Sequence, residues 1–380
     1  MRLIKPTKIK FNNIKLQPEK SNTSNQNISQ KIESYEINDI SINKASYNNY
    51  TEIELLNDDS IYSEKNILYN QFGGYQGAFD SDLNYWLNND DALKIIRTYY
   101  PEASLEEIEL LFYRMGKVGC GYIALINTLM YEYFLFADAH DEEDFQRRFG
   151  FPPKVIKQDA YGNDYVDYNY ELLFLDFFLY YAKEYSGFQT LEDVIGNAKE
   201  QKESNGNGDG ALEDGEFVIT GANGTYADEV AQVFQSYLAT KGINVNICKS
   251  LRIDPNSDDY KQMVAELEKK GIEIEPGADL YYTCDYITSI INNVLKENKN
   301  MTMNVACDGF NLYSTEDLDG NGILDDVICS DVGPHAMTVV GTTSDPNKIL
   351  VSSWGREFVI DASEVKEYVV IDYSEFNNNN

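Results

Sequence analysis

The chain of 380 residues carries 63 acidic against 31 basic side chains, which gives a formal net charge of −32 at pH 7. A surface with this charge repels phosphate backbones and anionic membranes, so nucleic acid is excluded as a partner. Aromatic residues form 13% of the chain, which disordered acidic sequences lack, so most of it is expected to fold.

The beginning of the chain differs from the rest in charge. Residues 1–50 hold eight basic and four acidic side chains, so residues 51–380 carry a net charge of −36. Residues 1–65 lack sustained hydrophobic periodicity and are predicted to form a mostly disordered basic arm, with one folded domain over 66–380. Neither a secretory signal nor an apolar run of ~18 residues is present, so we expect no membrane insertion. The expected location is the cytoplasm, or outside the cell after non-classical export.

Helical patterns prevail between the arm and about residue 300. The clearest start signal is Ser104-Leu-Glu-Glu-Ile, a capping box in which serine and glutamate bind the first free N–H groups of a helix. Polar, glycine-rich sequence interrupts the pattern, and 164–214 is interpreted as a helical and glycine-rich insertion. Apolar spacing predicts helices at Asp90–Tyr100, Ser104–Met115, Tyr122–Phe136, Asp141–Phe149, Tyr168–Tyr185, Thr190–Gln201, Tyr226–Lys241, Asp258–Lys270 and Tyr281–Lys296, and strands at Phe217–Thr220 and Asn244–Cys248.

The carboxy-terminal part consists of short β-branched and aromatic runs separated by turn residues. These runs predict an antiparallel meander of strands. Helices followed by a sheet indicate an α+β fold rather than a doubly wound one. The predicted strands are Met301–Cys307, Ala336–Thr342, Ile349–Trp354, Glu357–Ile360 and Tyr368–Tyr373.

The chain has only two histidines. His140 lies in a polar helix-entry context that favours a surface position. His335 lies at the start of an apolar strand, in Gly-Pro-His-Ala-Met. Any reaction that needs an imidazole near neutral pH therefore has one main candidate in this sequence.

Cys120 is the matching candidate nucleophile. It opens a long apolar helix, where the positive end of the helix dipole favours the thiolate. Gly119 and Gly121 leave room for a substrate carbonyl, and the backbone N–H of Cys120 can donate to an oxyanion. The other cysteines, 248, 284, 307 and 329, have no CxxC spacing. We interpret them as core residues of a protein in a reducing compartment, without a disulfide framework or zinc site.

A third motif completes a pattern. Ser352-Ser-Trp-Gly follows His335 by seventeen residues, at the end of the next predicted strand. Together, Gly-Cys-Gly at a helix start, Gly-Pro-His-Ala at a strand start and Ser-Ser-Trp-Gly in a turn resemble papain-like cysteine peptidases. The similarity is greatest to the bacterial branch that includes bacteriocin-processing double-glycine peptidases, and it spans roughly residues 71–375.

The resemblance implies roles for these residues. It implies a helical subdomain whose catalytic helix packs on the antiparallel sheet, with Cys120 as nucleophile and His335 as its acid–base partner. Ser352 matches the asparagine that orients the histidine in this family, and Trp354 shields that contact from water. The family places an oxyanion-binding glutamine six residues before the cysteine, where this chain has Arg114.

An acidic loop just before His335 has the spacing of a calcium ligand set. Asp317, Asp319, Asn321 and Asp325 supply oxygen atoms at loop positions 1, 3, 5 and 9, and Gly322 stands at position 6. Position 12 is Ile328 instead of a bidentate acid, so Asp326 would have to compensate. A solvated acidic loop is the alternative interpretation. No cofactor is predicted to be required, and calcium is the one ligand that the sequence suggests.

The sequence thus predicts thiol-dependent hydrolysis of peptide bonds through Cys120 and His335. Transpeptidation or deamidation by the same residues would have the same sequence pattern. The alternative from another class is a catalytically impaired papain fold that serves as a binding module, which Ser352 and Arg114 favour. The predicted partner is a peptide or protein substrate, and the sequence leaves the oligomeric state open.

Overall fold

A computed structural model gives the fold of the protein. The described residues are 73–134, 142–158, 164–204, 221–252 and 301–377, without 223, 317, 319, 321, 344 and 346, together with single helical positions at 261, 265 and 291. The chain forms two compact units. The described residues up to Asn244, with Ser352–Arg356, form the helical unit, and Val245–Val351 with Glu357–Asn380 form the sheet unit.

The helical unit is built from short and medium helices and one hairpin. The hairpin pairs two antiparallel strands, β1 and β2, with Lys154 opposite Tyr168. A π-helical turn, Tyr181–Tyr185, continues α7. The elements are α1 Ala78–Ser81, α2 Leu83–Leu87, α3 Asp90–Tyr99, α4 Leu105–Val118, α5 Cys120–Phe134, α6 Glu142–Phe149, β1 Lys154–Gln158, β2 Asp164–Tyr168, α7 Tyr170–Tyr180, α8 Leu191–Ile195, α9 Ala198–Ser204 and α10 Ala227–Thr240.

Two helices, α5 and α7, form the core of this unit. Almost every residue of both helices is buried, which their nearly unbroken apolar sequences require. Aromatic rings fill the space between them: the ring of Tyr122 lies 4.9 Å from that of Phe178 and 5.6 Å from that of Phe177. Because α7 lies within 164–214, this part of the predicted insertion belongs to the packed interior of the helical unit.

A buried carboxylate joins three helices of the same unit. Asp176 of α7 accepts hydrogen bonds from the hydroxyls of Tyr99 in α3 and Tyr237 in α10, each at 2.8 Å. The ammonium group of Lys241 lies 2.6 Å from the same carboxylate. Burial and this neighbouring carboxylate raise the pKa of both tyrosines, so both hydroxyls stay protonated and donate.

Among the described residues, the larger sheet has eight strands, which belong to the sheet unit except at Ser352, Ser353 and Arg356. They are β3 Asn246–Arg252, β4 Met301–Cys307, β5 Phe310–Tyr313, β6 Val327–Val332, β7 His335–Thr342, β8 Lys348–Ser353, β9 Arg356–Asp361 and β10 Glu367–Asp372, and a short helix, α11, follows at Ser374–Asn377. Their order is β3-β10-β4-β7-β8-β9-β5-β6. Strand β10 pairs antiparallel with both β3 and β4, so the last strand lies inside the sheet.

The coarse α+β class predicted from the sequence is confirmed, and four of the five strands predicted for the meander, β4, β7, β8 and β9, are neighbours in the predicted order. The fifth predicted strand, β10, departs from the meander because it lies on the other side of β4, next to β3. The predicted helix over Thr190–Gln201 is also wrong as one element, since Gly196 adopts a φ of +50° and separates α8 from α9. Within the described residues, no helix combines the length and the apolar character that crossing a membrane demands.

Candidate functional site

Cys120 is the first residue of α5. The N–H of Ile123 donates to the carbonyl of Gly119 at 3.0 Å, so this glycine ends α4 and begins α5 without an intervening loop. The N–H groups in the first turn of a helix lack intrahelical acceptors and create a positive local potential. The thiol of Cys120 is partly exposed. This position combines access with a field that favours the thiolate.

The two glycines that flank Cys120 are required by close packing. A Cβ atom at Gly119 would lie 2.4 Å from the carbonyl oxygen of Met115 and 2.4 Å from Cζ of Phe174. At Gly121, a Cβ atom would lie 2.7 Å from Oγ1 of Thr225. The backbone of α5 therefore approaches its neighbours more closely at these positions than any other residue type allows. These contacts hold the start of the helix in place.

A glutamine from far away in the sequence reaches the same helix junction. The Nε2 of Gln76 donates to the carbonyl of Gly116 at 3.0 Å, four residues before Cys120. The sequence alone could not assign this residue, because forty positions separate it from Gly116. The aromatic and glycine-rich run around Gly73 and Gly74 was the only available signal of a tight loop there.

Arg114 is a buried, hydrogen-bonded residue of α4. It occupies the position at which papain-like peptidases have the oxyanion-binding glutamine. Its guanidinium is fully buried and donates to the carbonyl of Ile195 at 2.8 Å and to Oδ1 of Asn197 at 3.1 Å. Burial lowers the pKa of this guanidinium. Arg114 therefore ties the segment between α8 and α9 to α4.

The serine–tryptophan motif forms the end of β8 and the turn that follows. Trp354 and Gly355 have φ values of +50° and +73°. Two successive positive values are typical of the type I′ turn of a two-residue hairpin. Ser352 is buried, and its hydroxyl makes no hydrogen bond to any residue that the structure describes. Its role in orienting an imidazole stays a prediction.

His335 is the first residue of β7 and lies opposite Cys307 of β4. The side chain is buried, and burial lowers the pKa of its imidazole from 6.5 to about 4. The imidazole is therefore neutral at pH 7. A neutral imidazole can accept a proton, which a general base must do.

Glu357, in β9, is another group of the sheet unit whose pKa is strongly shifted. Burial raises the pKa of its carboxyl from 4.5 to about 7. Its Oε1 is inaccessible and has no hydrogen-bond partner among the described residues. This carboxyl is consequently protonated at mildly acidic pH, where carboxyl groups are ordinarily ionised.

These two groups predict opposite effects of pH on the free energy of unfolding of the sheet unit. The lowered pKa of His335 makes the folded state lose stability as pH falls from 6.5 to 4. The raised pKa of Glu357 makes it lose stability as pH rises from 4.5 to 7. Each effect amounts to at most about 3 kcal/mol, and less for the partly buried Glu357. Between pH 4.5 and 6.5 the two slopes oppose each other.

Urea denaturation of single variants across this pH range separates the two slopes. In His335→Gln, where only Glu357 contributes, the free energy of unfolding should fall as pH rises. In Glu357→Gln, where only His335 contributes, it should increase as pH rises. Parallel pH profiles for the parent and both variants would show that neither group has the shifted pKa.

The other predicted site residues lie partly outside the described structure. His140 is outside it, as are Cys284, Asp317, Asp319 and Asn321. Of the proposed calcium ligands, Asp325 is described and exposed, and the carboxylate of the neighbouring Asp326 accepts a hydrogen bond from the N–H of Leu318 at 2.6 Å. The described residues contain no group of three or more His, Cys, Asp or Glu side chains that could hold a metal ion.

Calcium binding by this loop stays a prediction with a direct measurement. Because the loop lacks the acid at position 12, the expected dissociation constant is about 10⁻⁴ M or weaker. A hundredfold excess of calcium over that constant stabilises the folded state by about 2.7 kcal/mol. Melting curves with calcium and with chelator should therefore differ, and Asp319→Ala should remove the difference. Equal midpoints in the parent protein would identify a solvated acidic loop.

The predicted site residues are divided between the two units. Gly119, Cys120, Gly121 and the turn with Ser352 and Trp354 belong to the helical unit, whereas His335 belongs to the sheet unit. The pairing of the Cys120 thiol with the His335 imidazole stays a prediction. No protein-family model matches the chain, and neither a curated protein nor a solved structure similar to it was found.

Proposed function

We propose that the protein is a papain-like cysteine peptidase with Cys120 as nucleophile and His335 as general base. The observation that carries this proposal is the partly exposed thiol at the first position of a buried, apolar helix. Structural cysteines are typically enclosed, and the buried Cys307, with a pKa raised by burial, is such a residue.

The proposed reaction begins with proton transfer from the Cys120 thiol to the neutral imidazole of His335. The sulfur attacks the peptide carbonyl, and the carbonyl oxygen becomes an oxyanion near the first-turn N–H groups of α5. The imidazolium then protonates the departing amine as the carbon–nitrogen bond breaks, which leaves a thioester on Cys120. Water, deprotonated by the imidazole, hydrolyses the thioester and restores the thiol.

Gln76 supports the oxyanion part of this proposal. One hydrogen of its amide points to the carbonyl of Gly116, and an amide nitrogen carries a second hydrogen. The family's glutamine is replaced by the buried Arg114, so Gln76 is the amide at this junction available for the role. We assign it as the second oxyanion donor, beside the backbone N–H of Cys120.

The alternative is a binding module with a papain-like fold and impaired catalysis. The observation that favours it is the buried Ser352 hydroxyl, which forms no hydrogen bond to a described residue. If Ser352 does not orient the imidazole as the family's asparagine would, proton transfer from the thiol is inefficient and turnover is slow.

Thiol alkylation at neutral pH distinguishes the two functions. In a peptidase, iodoacetamide should modify Cys120 at least tenfold faster than any other cysteine, because its thiolate is stabilised. Cys248 should react slowly, since burial and Asp372 raise the pKa of its thiol to about 12. Mass spectrometry of peptides from the alkylated full chain identifies the modified residue.

Two variants control this experiment. His335→Ala should slow the alkylation of Cys120, whereas Cys329→Ala, which removes another partly exposed thiol, should leave it unchanged. Equal slow rates at Cys120 and Cys329 in the parent chain would contradict the peptidase and support the binding module.

A further inference from the structure

Strand β6 forms one edge of the eight-stranded sheet, and its outer side is unpaired among the described strands. It lies at the end of the strand order, and β5 is its partner among the described strands. Val327, Ile328, Ser330 and Asp331 are all exposed, so neither face of this strand is covered along most of its length by the described residues. An edge strand presents a row of backbone N–H and C=O groups that can pair with another strand.

Exposed aliphatic side chains are concentrated at this edge. Among the described residues, six large aliphatic side chains are exposed, and four of them lie between positions 318 and 328. Their exposed fractions are 61% for Leu318, 52% for Ile323, 51% for Val327 and 52% for Ile328. A cluster of exposed apolar residues on an open strand is characteristic of a surface that another segment covers.

The same edge has a strongly negative charge. Residues 314–333, which we term the acidic edge, contain no basic residue, and their described part holds four acidic residues, Glu316, Asp325, Asp326 and Asp331. The opposite edge of the sheet, β3, contains Lys249 and Arg252 and no acidic residue. The two edge strands therefore differ in charge by composition, and a basic strand is expected to prefer β6.

The chain itself contains a segment with the complementary chemistry. Residues 2–16, which we term the basic segment, hold Arg2, Lys5, Lys8, Lys10 and Lys15, no acidic residue, and six large apolar side chains. Lys8-Ile9-Lys10-Phe11 alternates basic and apolar residues, so a strand would place lysines on one face and Ile9 and Phe11 on the other. This alternation suits an edge that exposes both carboxylates and aliphatic groups.

We propose that the basic segment binds the acidic edge of the same chain as an added β-strand along β6. Backbone hydrogen bonds to the open side of β6 provide the pairing, as in recognition by β-strand addition. Ile9 and Phe11 cover the exposed aliphatic side chains on one face of this edge, and the lysines pair with carboxylates on the other face. The 56 residues between Leu16 and Gly73 span up to about 190 Å when extended, so the chain can reach its own sheet edge.

Hydrogen exchange of the full chain tests this proposal. The experiment uses the Cys120→Ala chain in chelator, so that self-cleavage cannot remove the segment and calcium cannot neutralise the loop. In the triple variant Lys5→Glu, Lys8→Glu and Lys10→Glu, the amides of residues 327–332 should exchange at least tenfold faster. A control variant with Lys20→Glu, Lys31→Glu and Lys44→Glu has the same net charge as the first triple variant. In this control, the exchange rates of the amides of residues 327–332 should be unchanged.

Restoring the charge pairs provides the second arm of the test. Glu316→Lys and Asp325→Lys are added to the triple variant, so that the charges of the two partners are exchanged. This combination should recover at least half of the lost protection. Protection that is unchanged in the first triple variant, equally lost in the control variant, or dependent on protein concentration would overturn the proposal. The last outcome would assign the segment to a second copy of the chain. None of these outcomes depends on peptidase activity.

Discussion

Replacing Cys120 by alanine is expected to abolish hydrolysis of a denatured protein substrate, with kcat/KM reduced by a factor of about 10³ or more. The reason is chemical: without the sulfur no thioester can form, and the first-turn N–H groups of α5 alone cannot cleave a peptide bond. Release of fluorescent fragments from labelled casein, followed at neutral pH, measures the effect. His335→Ala should cause a loss of similar size, since the proposed mechanism requires both groups.

Variants of Ser352 should lose much less activity than Cys120→Ala or His335→Ala. Ser352→Ala should reduce kcat/KM by less than tenfold, because a short hydroxyl orients an imidazole weakly. Ser352→Asn should maintain or increase activity, since an amide reaches further. Cys329→Ala serves as the matched control and should retain full activity. If Cys120→Ala were as active as Cys329→Ala, the Cys120 thiol would not be the nucleophile.

Replacing Asp176 by alanine is expected to lower the free energy of unfolding of the helical unit by about 3–5 kcal/mol. The substitution leaves two tyrosine hydroxyls and one ammonium group without their common acceptor, and the Tyr237 hydroxyl among them is fully buried. Urea denaturation followed by circular dichroism at 222 nm measures the change, because this unit contains most of the described helix.

Two milder variants separate the contribution of the Asp176 charge from that of a single tyrosine hydrogen bond. Asp176→Asn keeps an acceptor for the tyrosines but loses the charge that pairs with Lys241, so an intermediate loss of about 1–3 kcal/mol is expected. Tyr99→Phe removes a single hydrogen bond and should cost about 1 kcal/mol. An alanine variant as stable as Tyr99→Phe would mean that solvent replaces the missing carboxylate.

The elements that could be predicted from the sequence are those with local signals. The capping box of α4 is present as predicted, with Ser104 accepting from the N–H of Glu107 and the Glu107 carboxylate accepting from the N–H of Ser104. Strand β4 covers Met301–Cys307 as predicted, because its apolar run is buried on both faces. These features depend on short-range chemistry that a sequence displays directly.

Elements without such signals were missed. The strands of the β1–β2 hairpin are polar, and Ile156 of β1 is exposed, so no alternation of buried and exposed positions indicated them. Strand order is a long-range property, and the placement of β10 between β3 and β4 has no local signature. The predicted helices Asp258–Lys270 and Tyr281–Lys296, and the strand Phe217–Thr220, lie outside the described residues apart from single helical positions.

The same distinction applies to the candidate site. Cys120 could be singled out because glycine, cysteine and an apolar run are adjacent in sequence. Gln76 and Thr225 could not, because they reach the helix junction only through tertiary packing. The shifted pKa of Glu357 was equally invisible, since it arises from burial that the neighbouring sequence does not reveal.

The single glycine shared by α4 and α5 also constrains how this protein can vary during evolution. A loop can accommodate an inserted or deleted residue without moving the helices that it joins. A junction of one residue cannot, because each added residue rotates the following part of a helix by about 100°. One insertion in the last turn of α4 would rotate the sulfur of Cys120 a quarter of a circle away from its present direction. We therefore expect this protein to tolerate insertions in surface segments better than any change in the spacing between Ser104 and Cys120.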